Sequence, residues 1–138
     1  MSLLKSYLDF MLCIMEADGE ITDEEKEMFL KMLSRSSVRK SIAQRYRSLL
    51  EGKRVGLDPK DVISRIVKVA DAEALGWIVR DAYLAADVDG KISKKEVALI
   101  NELLEAAGIP KKLHGEIKSW GIEFVKHTKC IPYLFKKT

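Results

Sequence analysis

The sequence predicts an all-α protein, a single domain spanning residues 1–138 with about seven helices that include two related helical hairpins. Three observations carry this. Apolar residues recur at three- and four-residue steps along most of the chain, no useful stretch alternates with period two, and one turn-and-cap pattern occurs twice, at 17–25 and 88–96. A chain of 138 residues that is 47% hydrophobic can bury a core without a disulfide or a metal.

The elements follow in order. Leu3, Leu4, Tyr7, Leu8, Met11, Leu12 and Met15 trace a helix face that Phe10, Cys13 and Ile14 widen, so a largely buried first helix is expected. Asp18-Gly19 then turns the chain, and Thr22 with Glu25 forms a capping box, each side chain satisfying a backbone N–H of the next helix. That second helix spans about Asp23 to Leu33, with Met28, Phe29, Met32 and Leu33 inward. After the break at Ser34–Ser37, a third turns Val38, Ile42, Tyr46, Leu49 and Leu50 inward and Arg39, Lys40, Arg45 and Arg47 to solvent.

Asp58-Pro59 reads as an N-cap followed by proline at the first helical position, where its missing N–H costs nothing. Val62, Ile63, Ile66, Val67 and Ala70 mark this fourth helix. Asp71 caps a fifth, carrying Leu75, Ile78, Val79, Ala82 and Ala85. Asp89-Gly90 repeats the turn, Ser93 with Glu96 repeats the box, and Val97, Ile100, Leu103 and Leu104 line the sixth helix, which Gly108-Ile109-Pro110 ends. The last helix is expected from Lys111 to about Lys126 with Leu113, Ile117, Trp120, Phe124 and Val125 inward, followed by an apolar and aromatic tail from Ile131 to Phe135.

The repeat carries the candidate chemistry. Residues 17–25 and 88–96 agree at Asp, Gly, Ile, Ser/Thr and Glu. With glycine at the sixth position of a calcium loop, the third, fifth and twelfth fall on Glu16, Asp18 and Glu25 and on Asp87, Asp89 and Glu96, hard oxygen donors suited to Ca²⁺ or Mg²⁺. The first position, normally Asp, is Ile14 in one copy and Ala85 in the other, so the standard loop is incomplete. Two readings stay open. Turn and capping geometry alone explains the glycine, the isoleucine, the hydroxyl and the last glutamate. Surplus acid at Glu16, Asp18, Glu20, Asp87 and Asp89 is not explained that way and would be relieved by a weakly bound divalent cation or a basic partner.

Around Ala17-Asp18-Gly19-Glu20-Ile21-Thr22-Asp23-Glu24-Glu25 and its second copy, the chain resembles the tellurite-resistance TerB family and its relatives, which carry two such acidic turns about seventy residues apart. The resemblance covers nearly the whole chain. It implies an all-helical fold with pseudo-two-fold symmetry, acidic residues that hold metal, and a role in stress-response complexes at the inner face of the bacterial membrane. Asp18, Glu25, Asp89 and Glu96 match the motif, whereas Glu16 and Asp87 come from the loop spacing alone. Lys91, Lys94 and Lys95 make the second turn more basic than a typical acidic copy.

Charge alternates along the chain: net −5 over residues 1–33, +7 over 34–70, −4 over 71–110 and +5 over 111–138, for +3 in total. That excess is too small and too divided to predict duplex binding. The densest basic run, Arg35, Arg39, Lys40, Arg45, Arg47, Lys53 and Arg54, reads first as a solvated helix face and second as a surface for phosphate or anionic lipid. Cys13 and Cys130 have neither zinc nor disulfide-framework spacing, and His114 and His127 stand apart from other ligands. No nucleophile motif or phosphate loop is present. Lys5 and Asp9 interrupt the apolar N-terminus and no stretch reaches the ~18 apolar residues of a membrane span, so a cytoplasmic protein is expected. The expected function is a non-enzymatic binding or scaffold module with a protein partner, its acidic turns holding a cation. The alternatives are a purely structural interaction domain without metal, or anion or membrane-surface binding through Arg39, Lys40, Arg45 and Arg47.

Overall fold

The computed structural model describes residues 3–19, 21–35, 38–52, 55–87 and 91–135, with side chains for all of these but 35 and 128–135. Among them are seven helices and no strand: α1 Leu3–Glu16, α2 Asp23–Arg35, α3 Lys40–Glu51, α4 Pro59–Val69, α5 Ala72–Ala86, α6 Lys94–Ala106 and α7 Lys111–Phe135. The apolar run Phe10–Met15 makes α1 the hub. Every residue from Leu8 to Met15 is buried, and a helix buried on all sides needs neighbours on all sides. It has them in α2, α4, α5 and α6, while α3 packs on α2 and α7 packs on α5 and α6.

The local signals at the helix ends are present as expected. Asp58 accepts from the Lys60 amide at 3.1 Å with Pro59 at the first position of α4, and Asp71 accepts from the Ala74 amide at 2.8 Å. At the end of α6, Gly108 takes φ 83°, which lets the Ile109 amide reach the Leu104 carbonyl and the Gly108 amide reach that of Glu105, both at 3.0 Å. That bond pair is the Schellman arrangement.

The repeat extends beyond its turns. Helices α2 and α6 are both 13 residues long and begin at Asp23 and Lys94, 71 positions apart; α3 and α7 begin at Lys40 and Lys111, also 71 apart. The halves then diverge. After α3 the chain turns at Gly52 and returns as α4 onto α1, whereas α7 runs on.

Several expectations need correction. Helix α7 does not end near Lys126 but continues through Pro132 to Phe135, so the expected tail is part of the helix. A proline this close to the end of a helix removes one backbone hydrogen bond and leaves only three residues to carry beyond it. Five residues expected inward are exposed: Leu4, Ile42, Val67, Leu113 and Trp120. Ile42 and Leu113 lie 71 apart in the first turns of α3 and α7, outer helices with few neighbours, so their buried stripe is narrower than the apolar pattern. Met28, Met32, Val38, Leu49, Ala70, Leu75, Val97, Ile117 and Phe124 are only partly buried against the core.

Asp9 interrupts an apolar face in the sequence, yet it is 3% exposed. Tyr46 donates its hydroxyl proton to one Asp9 oxygen at 2.6 Å, and the Arg65 guanidinium donates to the other at 3.0 Å and also pairs with Asp61. A buried carboxylate is tolerable only with such partners. Across α1, Tyr7 donates to Asp81 at 2.7 Å, and Arg80 pairs with the other Asp81 oxygen at 2.9 Å.

Candidate functional site

The acidic turns come first, because the sequence places the candidate metal ligands there. In the first, the Glu25 amide donates to the Thr22 hydroxyl oxygen at 3.2 Å and the Thr22 amide donates to Glu25 Oε1 at 2.9 Å. In the second, the Glu96 amide donates to Ser93 Oγ at 3.1 Å and the Ser93 amide to Glu96 Oε1 at 2.8 Å. Both capping boxes are thus formed, and both glutamates are buried. Glu16 is likewise engaged: its carboxylate accepts from the backbone amides of Val55 and Gly56, in the segment that leads into α4.

The other ligand candidates are scattered. Asp18 is exposed, preceding Gly19, whose φ of 131° suits glycine, while Asp87 is the half-buried C-cap of α5. Glu20, Asp89 and Gly90 lie outside the described residues. Ile14 and Ala85, at the position where a calcium loop has its first carboxylate, are fully buried. Among the described residues no group of three or more His, Cys, Asp or Glu side chains is arranged to hold a metal ion.

The basic candidates do not converge. Arg39, Lys40, Arg45 and Arg47 are all exposed at or near α3. At 3.6 residues per turn, Lys40 and Arg47 share a face while Arg45 stands roughly 140° away from Lys40 around the axis. Arg35 is described without its side chain, and Lys53 and Arg54 lie outside the described residues. Among the other candidates, Cys13 is a core residue whose thiol burial pushes up to about 12, with the Asp9 charge adding to the effect. A thiol held protonated is a poor nucleophile. The Cys130 side chain is outside the described set. His114 hydrogen-bonds the Ile109 carbonyl at 3.0 Å and tethers the start of α7, a packing role.

What the sequence reading missed lies between α5 and α7. Both tryptophans of the chain sit there half-exposed, Trp77 at 51% and Trp120 at 49%. The Arg80 guanidinium lies 4.0 Å over the Trp77 ring and 5.3 Å from the Phe124 centroid, and Phe124 stacks with Trp120 at 6.3 Å and 25°. Trp77, Arg80, Phe124 and Trp120 thus form one continuous row of planar groups. Beside it opens an apolar cavity of about 180 Å³ bounded by Leu75, Gly76, Val79, Leu104, Ile117 and Trp120. Close approach of α7 builds this face: a Cβ on Gly121 would stand 2.4 Å from the Tyr83 ring, so only glycine lets the helices come so near. The signal available in the sequence was the presence of two tryptophans, of which only Trp120 was expected inward, with a guanidinium one turn after Trp77. Larger concavities of about 550 Å³, between α4 and α6, and about 530 Å³, among α1, α4 and α6, share Lys60 and Glu102.

The described residues thus form a helical module with an open aromatic and cationic face between α5 and α7. No described helix is long and apolar enough to cross a membrane. No family model, curated protein or solved structure matches this chain.

Proposed function

We propose that this chain is a non-enzymatic helical interaction module, TerB-like in its repeat, that binds a protein partner through the α5–α7 face and works in the cytoplasm as part of a stress-response assembly. One observation carries the reading: both tryptophans stand half-exposed at the two ends of one row, joined through the Arg80 guanidinium and the Phe124 ring. Trp and Arg are the residues that most often anchor protein interfaces, and leaving two indoles half in water is unfavourable unless something covers them. The acidic turns fit a structural role in this proposal, since Glu16, Glu25 and Glu96 each accept backbone hydrogen bonds.

The test is co-purification of the tagged chain from its native host, compared with a Trp77→Asp, Trp120→Asp variant whose folding is checked by circular dichroism. A partner protein recovered with the native chain and depleted at least tenfold with the folded variant supports the reading. Identical sets of recovered proteins overturn it.

A further inference from the structure

Among the described residues the two halves of the repeat differ in one helix. In the first half α4 lies along α1 over Asp9, Cys13 and Glu16, whose row on the helix face begins one turn earlier at Ser6. Arg65 of α4 pairs with Asp9, while Leu57, Asp58 and Pro59 at its start line one concavity with Cys13 and Glu16. Residue numbers rise along α1 as they fall along α4, so the helices are antiparallel. Along this row Ser6, Asp9 and Cys13 are 0%, 3% and 5% exposed.

The corresponding row on α5, 71 positions on, is Trp77, Arg80, Leu84 and Asp87. Among the described residues α5 packs on α1, α6 and α7, and no second copy of α4 lies over this row. Trp77 is 51% exposed where its counterpart Ser6 is fully buried. The charge at the central position is also reversed: Asp9 meets an arginine from α4, whereas Arg80 presents a guanidinium.

We propose that the Trp77–Arg80–Leu84 row is the docking site for an amphipathic helix of a partner protein, lying antiparallel to α5 as α4 lies on α1. This helix carries branched apolar residues where α4 has Val62, Ile63 and Ile66 and a carboxylate where α4 has Arg65. This proposal rests on the reading of the chain as an interaction module and adds the shape, direction and charge of the partner. Burial of an apolar helix face in a groove supplies the affinity, and the carboxylate–guanidinium pair supplies register. Arg80 can accept it while bound to Asp81, because a guanidinium has five N–H donors in a fork. A second copy of this chain is disfavoured as occupant, since a two-fold contact through this face would set Arg80 toward Arg80.

Trp77 and Trp120 are the only tryptophans of the chain, so their emission reports directly on this face. The probe is a side-chain-stapled peptide of residues 58–70, with Arg65→Glu in one version and the native Arg65 in the other. Titration of the full chain should give a saturable blue shift with the glutamate peptide and at least tenfold weaker binding of the arginine peptide. The Arg80→Glu chain should reverse that order. If Arg80→Glu does not fold, Trp77→Asp, changed at an exposed position, should abolish the glutamate-peptide response read from Trp120. Equal binding of the two peptides, or no saturable shift, overturns the proposal. A blue shift that grows with the concentration of the chain alone, with a dimer in sedimentation, overturns it in favour of a second copy. A shift on phosphatidylglycerol vesicles with both peptides inert overturns it in favour of a lipid surface. Failure here with a tryptophan-dependent partner still recovered by co-purification rejects this helix geometry and leaves the interaction module standing.

Discussion

Asp9 and Arg80 stand 71 positions apart, in register with the two copies of the sequence repeat, and meet different fates. Asp9 is sealed between α1, α3 and α4 with a phenol and a guanidinium on its two oxygens; Arg80 lies between two aromatic rings with its edge in solvent. The capping boxes are the same in both halves, so among the described residues the difference lies in α4, which returns onto α1 and has no described counterpart on α5. The first half uses the charged position to fix a helix of its own, and the second leaves that position outside.

This contrast can be broken by mutation. Arg65→Ala leaves the Asp9 carboxylate buried without its cationic partner and should cost about 3–5 kcal/mol in urea unfolding. Arg80→Ala removes a quarter-exposed guanidinium and its stacking and should cost under about 1 kcal/mol. Equal losses at the two positions would show that the second charge is as structural as the first.

Alkaline titration sharpens the same contrast. Burial raises the Cys13 thiol from 9.0 to about 12 and the Tyr83 phenol from 10.0 to about 12. Burial also raises Tyr46 and Tyr7 above 10.0, helped by the hydrogen bond to Asp9 for the first and by the charge of Asp81 for the second. In the unfolded chain these groups lose their protons near pH 9–10, while the folded chain still holds them. The unfolded state then binds fewer protons, so the slope of stability with pH is negative. Stability should be level up to about pH 9 and fall steadily toward about pH 12, followed by denaturant midpoint and phenolate absorbance. Phenolate appearing near pH 10 in the still-folded Tyr133→Phe chain, which keeps only these three tyrosines, would show that these rings are wet.

Gly121→Ala is the next smaller effect. Alanine gains about 0.8–1 kcal/mol of helix propensity, but its Cβ would stand 2.4 Å from the Tyr83 ring, and overpacking typically costs about 1–3 kcal/mol. A net loss is expected, largely relieved by Tyr83→Leu. The corresponding positions in the first half hold Leu12 and Leu50, a medium-sized pair in place of a large and a small residue. Losses that simply add in the double variant would mean that the two positions do not share the space.

Where the sequence was legible, the physics is local. Capping boxes at Thr22–Glu25 and Ser93–Glu96, the Asp58-Pro59 start and the Gly108 stop are each written within a few residues, and each is found in place. Apolar periodicity likewise marks the buried faces of α1, α5 and α6. What could not be read depends on how many neighbours a helix gains. Ile42 and Trp120 carry the right period but sit on outer helices, so the pattern overstates their burial. Asp9 errs the other way, since its burial is set by Arg65, 56 residues along the chain. The site suffered most, because the acidic turns have a short motif whereas Trp77, Arg80 and Phe124 meet only once α5 and α7 are packed.

The caps give the smallest effects and the clearest test of the turns. Thr22→Ala and Ser93→Ala each free a backbone amide of the following helix and should each cost about 1 kcal/mol, equally in the two halves. If the turns are structural only, adding Ca²⁺ or Mg²⁺ should leave the thermal midpoint of the native chain and of both variants unchanged. A cation that did bind would have to draw Glu25 Oε1 from the Thr22 amide and Glu16 from the Val55 and Gly56 amides, or share those oxygens with them. A rise in midpoint with cation, abolished by Asp18→Ala together with Asp89→Ala, would show that it does so. The turns would then be ligand sites as well as caps. A rise seen in only one half would place the asymmetry in the turns as well as in the helix that covers one half and not the other.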